Sequence, residues 1–161
     1  MELVHNRHSV GGSNYHFQFT PKYRRSVFRI GRLRRYCEAL FRKKAYEMGL
    51  KVEAVEFGPD HSHIFLSGCR KYSVSYMANQ LKGYSSRFIR KNLPEDVIPF
   101  LWGNSFWSGG FFYESIGRVT TETVKFYIER QQGKHWESTE FEPPYPPAIL
   151  KEQTTLQQFG A

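Results

Sequence analysis

Residues 50–67 read LKVEAVEFGPDHSHIFLS, and this stretch predicts two β-strands joined by a turn. Residues 50–57 mix apolar and charged side chains in alternation, which is the pattern of a strand with one buried face. Gly58, Pro59 and Asp60 are turn-forming residues. Residues 61–67 supply the second strand, so the stretch predicts a β-hairpin.

Two histidines, His61 and His63, open the second strand of this hairpin. Side chains two positions apart on a strand project from the same face, so the two imidazoles lie side by side and can hold one metal ion. Ile64 and Leu66 project from the other face and can be buried. The same pattern also fits a pair of ordinary strand or surface histidines, and the rest of the chain has to decide between the two interpretations.

The segments on both sides of the hairpin predict a ferredoxin-like fold. Alternating aromatic and polar residues indicate a strand at 14–20, and a second aromatic segment, 106–115, reads as a strand interrupted by glycines. Apolar residues at helical spacing indicate helices at about 32–48, 73–91 and 121–132. The order β-α-β-β-α-β-α is that of an α+β fold with a split βαβ antiparallel sheet, helices on one face, and one more helix appended at the C-terminal end.

Three residues give local detail to the predicted helices. Ser73 is placed to cap the second helix, and Gly49 is placed to end the first. Cys37 falls on the apolar stripe of the first helix, so it is predicted to be a buried free thiol.

The chain of 161 residues is predicted to form one domain, residues 1–135, followed by a Pro-rich tail, residues 136–161. Residues 143–147 read PPYPP, which favours extended polyproline-type chain. No apolar run is long enough to span a bilayer, and residues 1–5 do not form a signal peptide. Two cysteines are too few for a disulfide framework. These features predict a cytoplasmic protein with no membrane partner.

The charge of the chain predicts a polyanionic partner. The net charge is +8 and the isoelectric point is near 9.6, which favours nucleic acid. Between Lys22 and Lys44 there are ten basic residues and one acidic residue, Glu38. Such a one-sided stretch differs from the mixed charges of an ordinary solvated surface.

The appended helix contains a tyrosine and a glutamine four residues apart, Tyr127 and Gln131. Residues at this spacing share one face of a helix. A tyrosine at such a place also fits a simple packing role at the rim of an amphipathic helix, beside Val124 and Ile128.

Four motifs in order resemble the HUH single-strand transposases, the single-tyrosine enzymes of bacterial and archaeal insertion sequences. The motifs are FTPKYRR at 19–25, PDHSHI at 59–64, LWG at 101–103 with WSGGF at 107–111, and VKFYIERQ at 124–131. The resemblance covers residues 14–132. Ser62 departs from the pattern, since the middle residue of the histidine motif is bulky and hydrophobic in that family; its side chain points away from the metal, so the ligands are unaffected.

The resemblance implies a metal-dependent transposase that cleaves and rejoins single-stranded DNA at insertion-sequence ends. Tyr127 would be the nucleophile that forms a 5′-phosphotyrosine, and His61, His63 and Gln131 would hold the metal. Two imidazoles with oxygen ligands suit Mg²⁺ or Mn²⁺, and the ligand types are also compatible with Zn²⁺.

The resemblance also implies the partners. Single-stranded DNA with end hairpins would lie against basic side chains, which position a strand without reading its sequence. The expected phosphate contacts are Lys22, Arg24, Arg25, Arg29, Arg32, Arg35, Lys82 and Arg87, with Arg90 and Lys91 beside them. Tyr23 and Trp107 are candidates for base stacking, although core packing also fits Trp107. Excision needs two cleavages, so a homodimer is expected, with Tyr127 meeting the histidines either of its own chain or of its partner.

Two other functions fit the same residues. An HUH replication initiator or relaxase-type nickase shares the chemistry but is usually part of a longer chain. A non-catalytic ferredoxin-like nucleic-acid-binding module would need only the charge and the aromatics. His5, His8, His16 and His135 are interpreted as ordinary surface histidines without a role.

Overall fold

The computed structural model describes residues 4–6, 9–11, 13–101 and 103–132, with side chains described for 13–101 and 103–130. The predicted tail, residues 136–161, lies outside the described residues, as do the side chains of His5, His8 and His135. Among the helices described, none combines the length and the apolar composition needed to cross a bilayer.

The central sheet has four antiparallel strands. They are β3 (Asn14–Phe19), β4 (Lys51–Gly58), β5 (His61–Ser67) and β6 (Phe112–Ile116), in the order β4-β5-β3-β6. A separate hairpin, which the sequence did not predict, pairs β1 (Val4–Asn6) with β2 (Ser9–Gly11). The order of the four sheet strands is that of a split βαβ ferredoxin-like fold, so the predicted fold is confirmed.

Two long helices cover one face of the sheet. They are α1 (Gly31–Glu47) and α2 (Val74–Asn92), and a short helix α3 (Pro94–Val97) follows them. Ser73 caps α2 as predicted, because its side chain accepts a hydrogen bond of 3.1 Å from the Tyr76 N–H. Gly49, just beyond α1, has a φ of +74°, a conformation that glycine adopts without strain. Cys37 is fully buried, as expected from its place on the apolar stripe of α1.

Alternation along the strands divides the sheet into an apolar face and a polar face. Phe17, Phe19, Ile64 and Leu66 project toward α1 and α2 and belong to the hydrophobic core. Each such buried side chain contributes about 1.5–3 kcal/mol relative to an exposed one. The last helix, α4 (Thr121–Gln132), lies on the opposite face, where the histidines of β5 project.

The predicted strand at 106–115 is divided in two in the structure. Trp107 forms an isolated bridge with Pro21, and β6 begins only at Phe112. Between them the backbone carbonyls of Ser108 and Gly110 accept hydrogen bonds from the Lys82 ammonium, at 2.8 and 3.0 Å. These carbonyls bond to a side chain rather than to a neighbouring strand, which accounts for the break.

The structure corrects the prediction that Arg32 is a phosphate contact. Its side chain is fully buried at the start of α1, with Nε 2.6 Å from Oδ2 of Asp96 and Nη2 2.8 Å from Oδ1. Glu95, whose side chain is half exposed, adds a contact of 3.2 Å. The Arg32 charge therefore joins α1 to α3 and does not reach the surface.

This buried ion pair predicts a large effect of a small substitution. Asp96→Asn leaves the Arg32 charge buried without its carboxylate, so we expect the free energy of unfolding to fall by about 3 kcal/mol in urea titrations. Glu95→Gln is the matched control, because this exposed partner is expected to contribute less than about 1 kcal/mol. Equal losses in the two variants would contradict the assignment.

Candidate active site

His61 and His63 lie side by side on the polar face of β5. Their ring centroids are 5.0 Å apart, the two rings are nearly perpendicular, and both side chains are buried. The strand alternation on which the prediction rested therefore holds in the structure.

Gly58 makes room for the His61 ring. The two residues are paired across the hairpin, and a Cβ atom added at Gly58 would lie 2.3–2.8 Å from three atoms of the imidazole. Such distances are too short for non-bonded atoms, so a larger residue at this position would displace the ring. Gly58, the last residue of β4, thus leaves the space that the His61 ring occupies.

The Nδ1 atom of each site histidine has a defined partner. Nδ1 of His61 lies 2.7 Å from Oδ1 of Asp60, and the other oxygen of that carboxylate is 3.3 Å from Arg24. Nδ1 of His63 lies 2.8 Å from Nε2 of His16. A further ligand would therefore bind either histidine through Nε2. Within the described residues, Nε2 of His63 is buried and has no hydrogen-bond partner.

His16 is not the surface histidine that the sequence suggested, because its side chain is fully buried on β3. Burial lowers the pKa of His16 to about 4, although the nearby Glu114 carboxylate acts in the opposite direction. Burial, with the positive charge that His16 or His61 would carry, lowers the pKa of His63 to about 2. Both rings are therefore neutral at pH 7, which is the form of imidazole that binds metals.

Two further polar residues flank His63 and were missed in the sequence. Gln18 of β3 and Glu56 of β4 are its cross-strand neighbours, and Oε1 of Gln18 is buried without a hydrogen-bond partner among the described residues. Burial raises the pKa of Glu56, and the charge of Glu38 adds to this effect. The sequence contained the information needed to find Gln18. Residues of β3 alternate between the two faces of the sheet, so Gln18 must share a face with the histidines if β3 is the neighbour of β5.

Tyr127 of α4 lies on the same face of the sheet. Its ring centroid is 5.3 Å from that of His16 and 6.3 Å from that of Phe65, and the Arg130 guanidinium lies 4.9 Å from it. Val124 and Ile128, by contrast, line a cavity of about 710 Å³ between α4 and β4. Gln131 belongs to α4, but its side chain lies outside the described residues.

The described side chains include no group of three or more histidine, cysteine, aspartate or glutamate residues arranged to hold a metal ion. Beside His61 and His63, an amide oxygen, water or a phosphate oxygen could complete the ligand set of a metal bound there.

The basic residues proposed as phosphate contacts differ in their surroundings. Lys82 is half-buried, and burial lowers the pKa of its ammonium, which bonds to the two carbonyls described above. Arg24 is exposed and paired with Asp60. The others are at least partly exposed: Lys22, Arg25, Arg29, Arg35 and Arg87. Arg87 also lines a shallow cavity of about 350 Å³ on α2, together with Arg90 and Lys91.

The two candidates for base stacking differ in their exposure to solvent. Trp107 is buried in the core and donates a hydrogen bond of 2.9 Å from Nε1 to Oγ of Ser85, so the core interpretation is the correct one. Tyr23 is 56% exposed, with Lys22 and Arg25 at 5.4 and 6.0 Å from its ring. Tyr23 and Arg24 both have positive φ angles, 62° and 51°, which is uncommon for residues other than glycine.

Two named transposases align with most of this chain. It is 30% identical to the transposase for insertion sequence element IS200 of Salmonella typhimurium over 140 residues, or 86% of this chain and 90% of that protein. It is 28% identical to the ISDra2 transposase TnpA of Deinococcus radiodurans, over 83% of this chain and 94% of that protein.

Solved structures share the fold. A crystal structure of a predicted transposase from Deinococcus radiodurans R1 matches with a TM-score of 0.63 and 25% identity, covering 80% of this chain and 97% of that one. A REP-associated tyrosine transposase bound to a REP hairpin matches with a TM-score of 0.52 and 16% identity, covering 81% and 74%.

The sequence profile of the family described as "Transposase IS200 like" matches residues 9–131, which include His61, His63 and Tyr127. This match spans most of the chain, and it agrees with the resemblance found in the sequence and with the fold. The chain belongs to the IS200-like transposase family.

Proposed function

We propose that the chain cleaves and rejoins single-stranded DNA at insertion-sequence ends, with Tyr127 as the nucleophile. The observation that carries the proposal is that Tyr127 lies on the sheet face that bears His61 and His63. On that face the His16 ring contacts both Tyr127 and His63, at centroid distances of 5.3 and 5.0 Å. Membership of the IS200-like transposase family supports a DNA-processing enzyme.

The donors on this face fit a divalent ion, Mg²⁺ or Mn²⁺. His63 is neutral and buried, its Nδ1 is occupied by His16, and its Nε2 has no partner within the described part of the chain. His61 is held in the same way through Asp60, and Gln131 would add an amide oxygen. When bound, such an ion neutralises charge on the scissile phosphate and orients the phosphorus for in-line attack.

The chemistry assigned to Tyr127 is nucleophilic substitution at phosphorus. Its hydroxyl oxygen forms a bond to phosphorus as the bond from phosphorus to the 3′ oxygen breaks, and the phenol proton is lost to solvent while the leaving oxygen gains one. The products are a 5′-phosphotyrosine and a free 3′-OH. Because the phosphodiester energy is kept in the covalent intermediate, a second 3′-OH can displace Tyr127 and rejoin the strand without ATP.

The basic surface supports single-stranded DNA as the substrate. The net charge of the chain is +8, and five of the basic side chains are at least partly exposed: Lys22, Arg25, Arg29, Arg35 and Arg87. The REP-associated tyrosine transposase, whose fold this chain shares, was solved bound to a REP hairpin. End hairpins are therefore the form of substrate that we propose for this chain.

A homodimer would supply the second nucleophile that excision requires, because each chain carries a single Tyr127 on α4. In the structure this helix lies against its own sheet. The same helix from a partner subunit, bound in the same place, is the trans alternative.

Replacement of the nucleophile tests the proposal. Tyr127→Phe should abolish the covalent protein–DNA adduct formed with Mg²⁺ or Mn²⁺ on single strands taken from both flanks of the gene, while DNA binding persists. The adduct is measured by denaturing electrophoresis. Tyr113→Phe is the matched control, because this half-exposed tyrosine of β6 packs against Tyr15 and Phe17 on the opposite face. An adduct that survives in Tyr127→Phe, or binding without any adduct in the wild type, would contradict the proposed chemistry.

Gly58→Ala should weaken the metal site although it replaces none of the proposed ligand residues. The added methyl group displaces the His61 ring, so we expect Mn²⁺ affinity to fall about tenfold or more, as measured from the EPR signal of free Mn²⁺. Gly117→Ala is the control, because a Cβ there meets no atom within 4 Å. Unchanged Mn²⁺ affinity in Gly58→Ala would show that the position of the His61 ring does not matter for the ion.

A further inference from the structure

His16 is a buried polar residue for which the proposed chemistry has no use. Its ring stacks on that of Phe65 at a centroid distance of 4.5 Å and lies nearly parallel to that of His63. Its one short polar contact is the distance of 2.8 Å from Nε2 to Nδ1 of His63. A buried imidazole loses its hydration, and a hydrophobic residue could fill the same space, so the polar contact needs an explanation.

The hydrogen bond between His16 and His63 can be made in two ways. Each neutral imidazole has one N–H donor and one acceptor nitrogen. If His16 donates, His63 accepts at Nδ1 and carries its proton at Nε2, where the proton blocks a metal. If His63 donates from Nδ1, its Nε2 keeps a lone pair and can bind one.

Glu114 distinguishes between these two arrangements. Its Oε1 atom lies 3.8 Å from Nδ1 of His16, which is too far for a hydrogen bond but close enough for an electrostatic attraction, which the Arg130 guanidinium opposes in part. A carboxylate at this place favours a proton on Nδ1 of His16 over a lone pair. Nε2 of His16 is then the acceptor, and His63 must donate.

Arg130 connects this arrangement to the helix that carries Tyr127. Its guanidinium contacts the Glu114 carboxylate and also lies over the Tyr127 ring. The carboxylate therefore has a fixed cationic partner on α4. Docking of α4 and the state of His63 share one chain of contacts, which runs from Arg130 through Glu114 and His16 to His63.

We propose that His16 and Glu114 are positioning residues that hold His63 in the tautomer with a lone pair on Nε2, and that Arg130 links this state to the docked tyrosine helix. The inference rests on the proposed role of His63 as a metal ligand. For His61, the Asp60 carboxylate contacts Nδ1 directly. For His63, the Glu114 carboxylate acts through a second imidazole, that of His16. Partners of this kind orient the metal-binding histidines of many proteins.

The tautomer of His63 can be measured in the metal-free protein, by long-range ¹H–¹⁵N NMR on a histidine-labelled sample. We expect a proton on Nδ1 of His63 in the wild type. Glu114→Gln should shift the population toward the Nε2–H form, while Glu122→Gln, an exposed acid of α4, should leave it unchanged. A wild-type His63 protonated at Nε2 would overturn the proposal, whatever the metal does.

Metal affinity supplies the second readout. His16→Phe keeps the stack on Phe65 but cannot accept a hydrogen bond, so Mn²⁺ affinity should fall about 10–100-fold. His16→Gln can accept through its amide oxygen and should stay within about threefold of the wild type. Equal affinities in His16→Phe and the wild type would overturn the inference and leave the proposed function intact. Absence of Mn²⁺ binding in the wild type would instead reject the proposed role of His63 as a metal ligand. The tautomer measurement would still test whether His16 and Glu114 hold a proton on Nδ1 of His63.

Discussion

Strands β3 and β5 are the two central strands of the sheet, and their antiparallel hydrogen bonds place Phe17 opposite Ile64 and Gln18 opposite His63. The first of these pairs belongs to the hydrophobic core and the second to the candidate site. Because side chains alternate, a slip of one residue would send the aromatic side chains of β3 to the polar face and His16 into the core. Burial of the aromatic residues under α1 and α2 therefore also fixes the position of the histidines.

Strand β5 is buried along its whole length, so its polar side chains lower the stability of the fold unless they form hydrogen bonds. A buried polar group without a hydrogen bond costs about 1–3 kcal/mol. Asp60 and His16 satisfy one nitrogen of each site histidine, and Nε2 of His63 has no partner among the described residues. An apolar residue would avoid this cost, which is consistent with the metal-binding role that we propose for the histidines.

The local patterns of the sequence predicted those parts of the fold that depend on neighbouring residues. The hairpin, the cap at Ser73 and the shared face of His61 and His63 all follow from spacing and turn chemistry. His16 was misread because polar residues that alternate with aromatics normally face solvent, and only the position of α4 shows that this face is covered. Arg32 was misread because ten basic residues in one stretch suggest one surface, whereas its acidic partner, Asp96, is 64 residues away.

We propose that one divalent ion binds both site histidines through Nε2, because Asp60 and His16 occupy their Nδ1 atoms. Anomalous diffraction from crystals soaked with Mn²⁺ tests it most directly, since it locates the ion relative to each ring nitrogen. We expect a single anomalous peak bonded to Nε2 of His61 and to Nε2 of His63. A peak bonded to Nδ1 of either ring, or no peak between the two histidines at saturating Mn²⁺, would contradict the account.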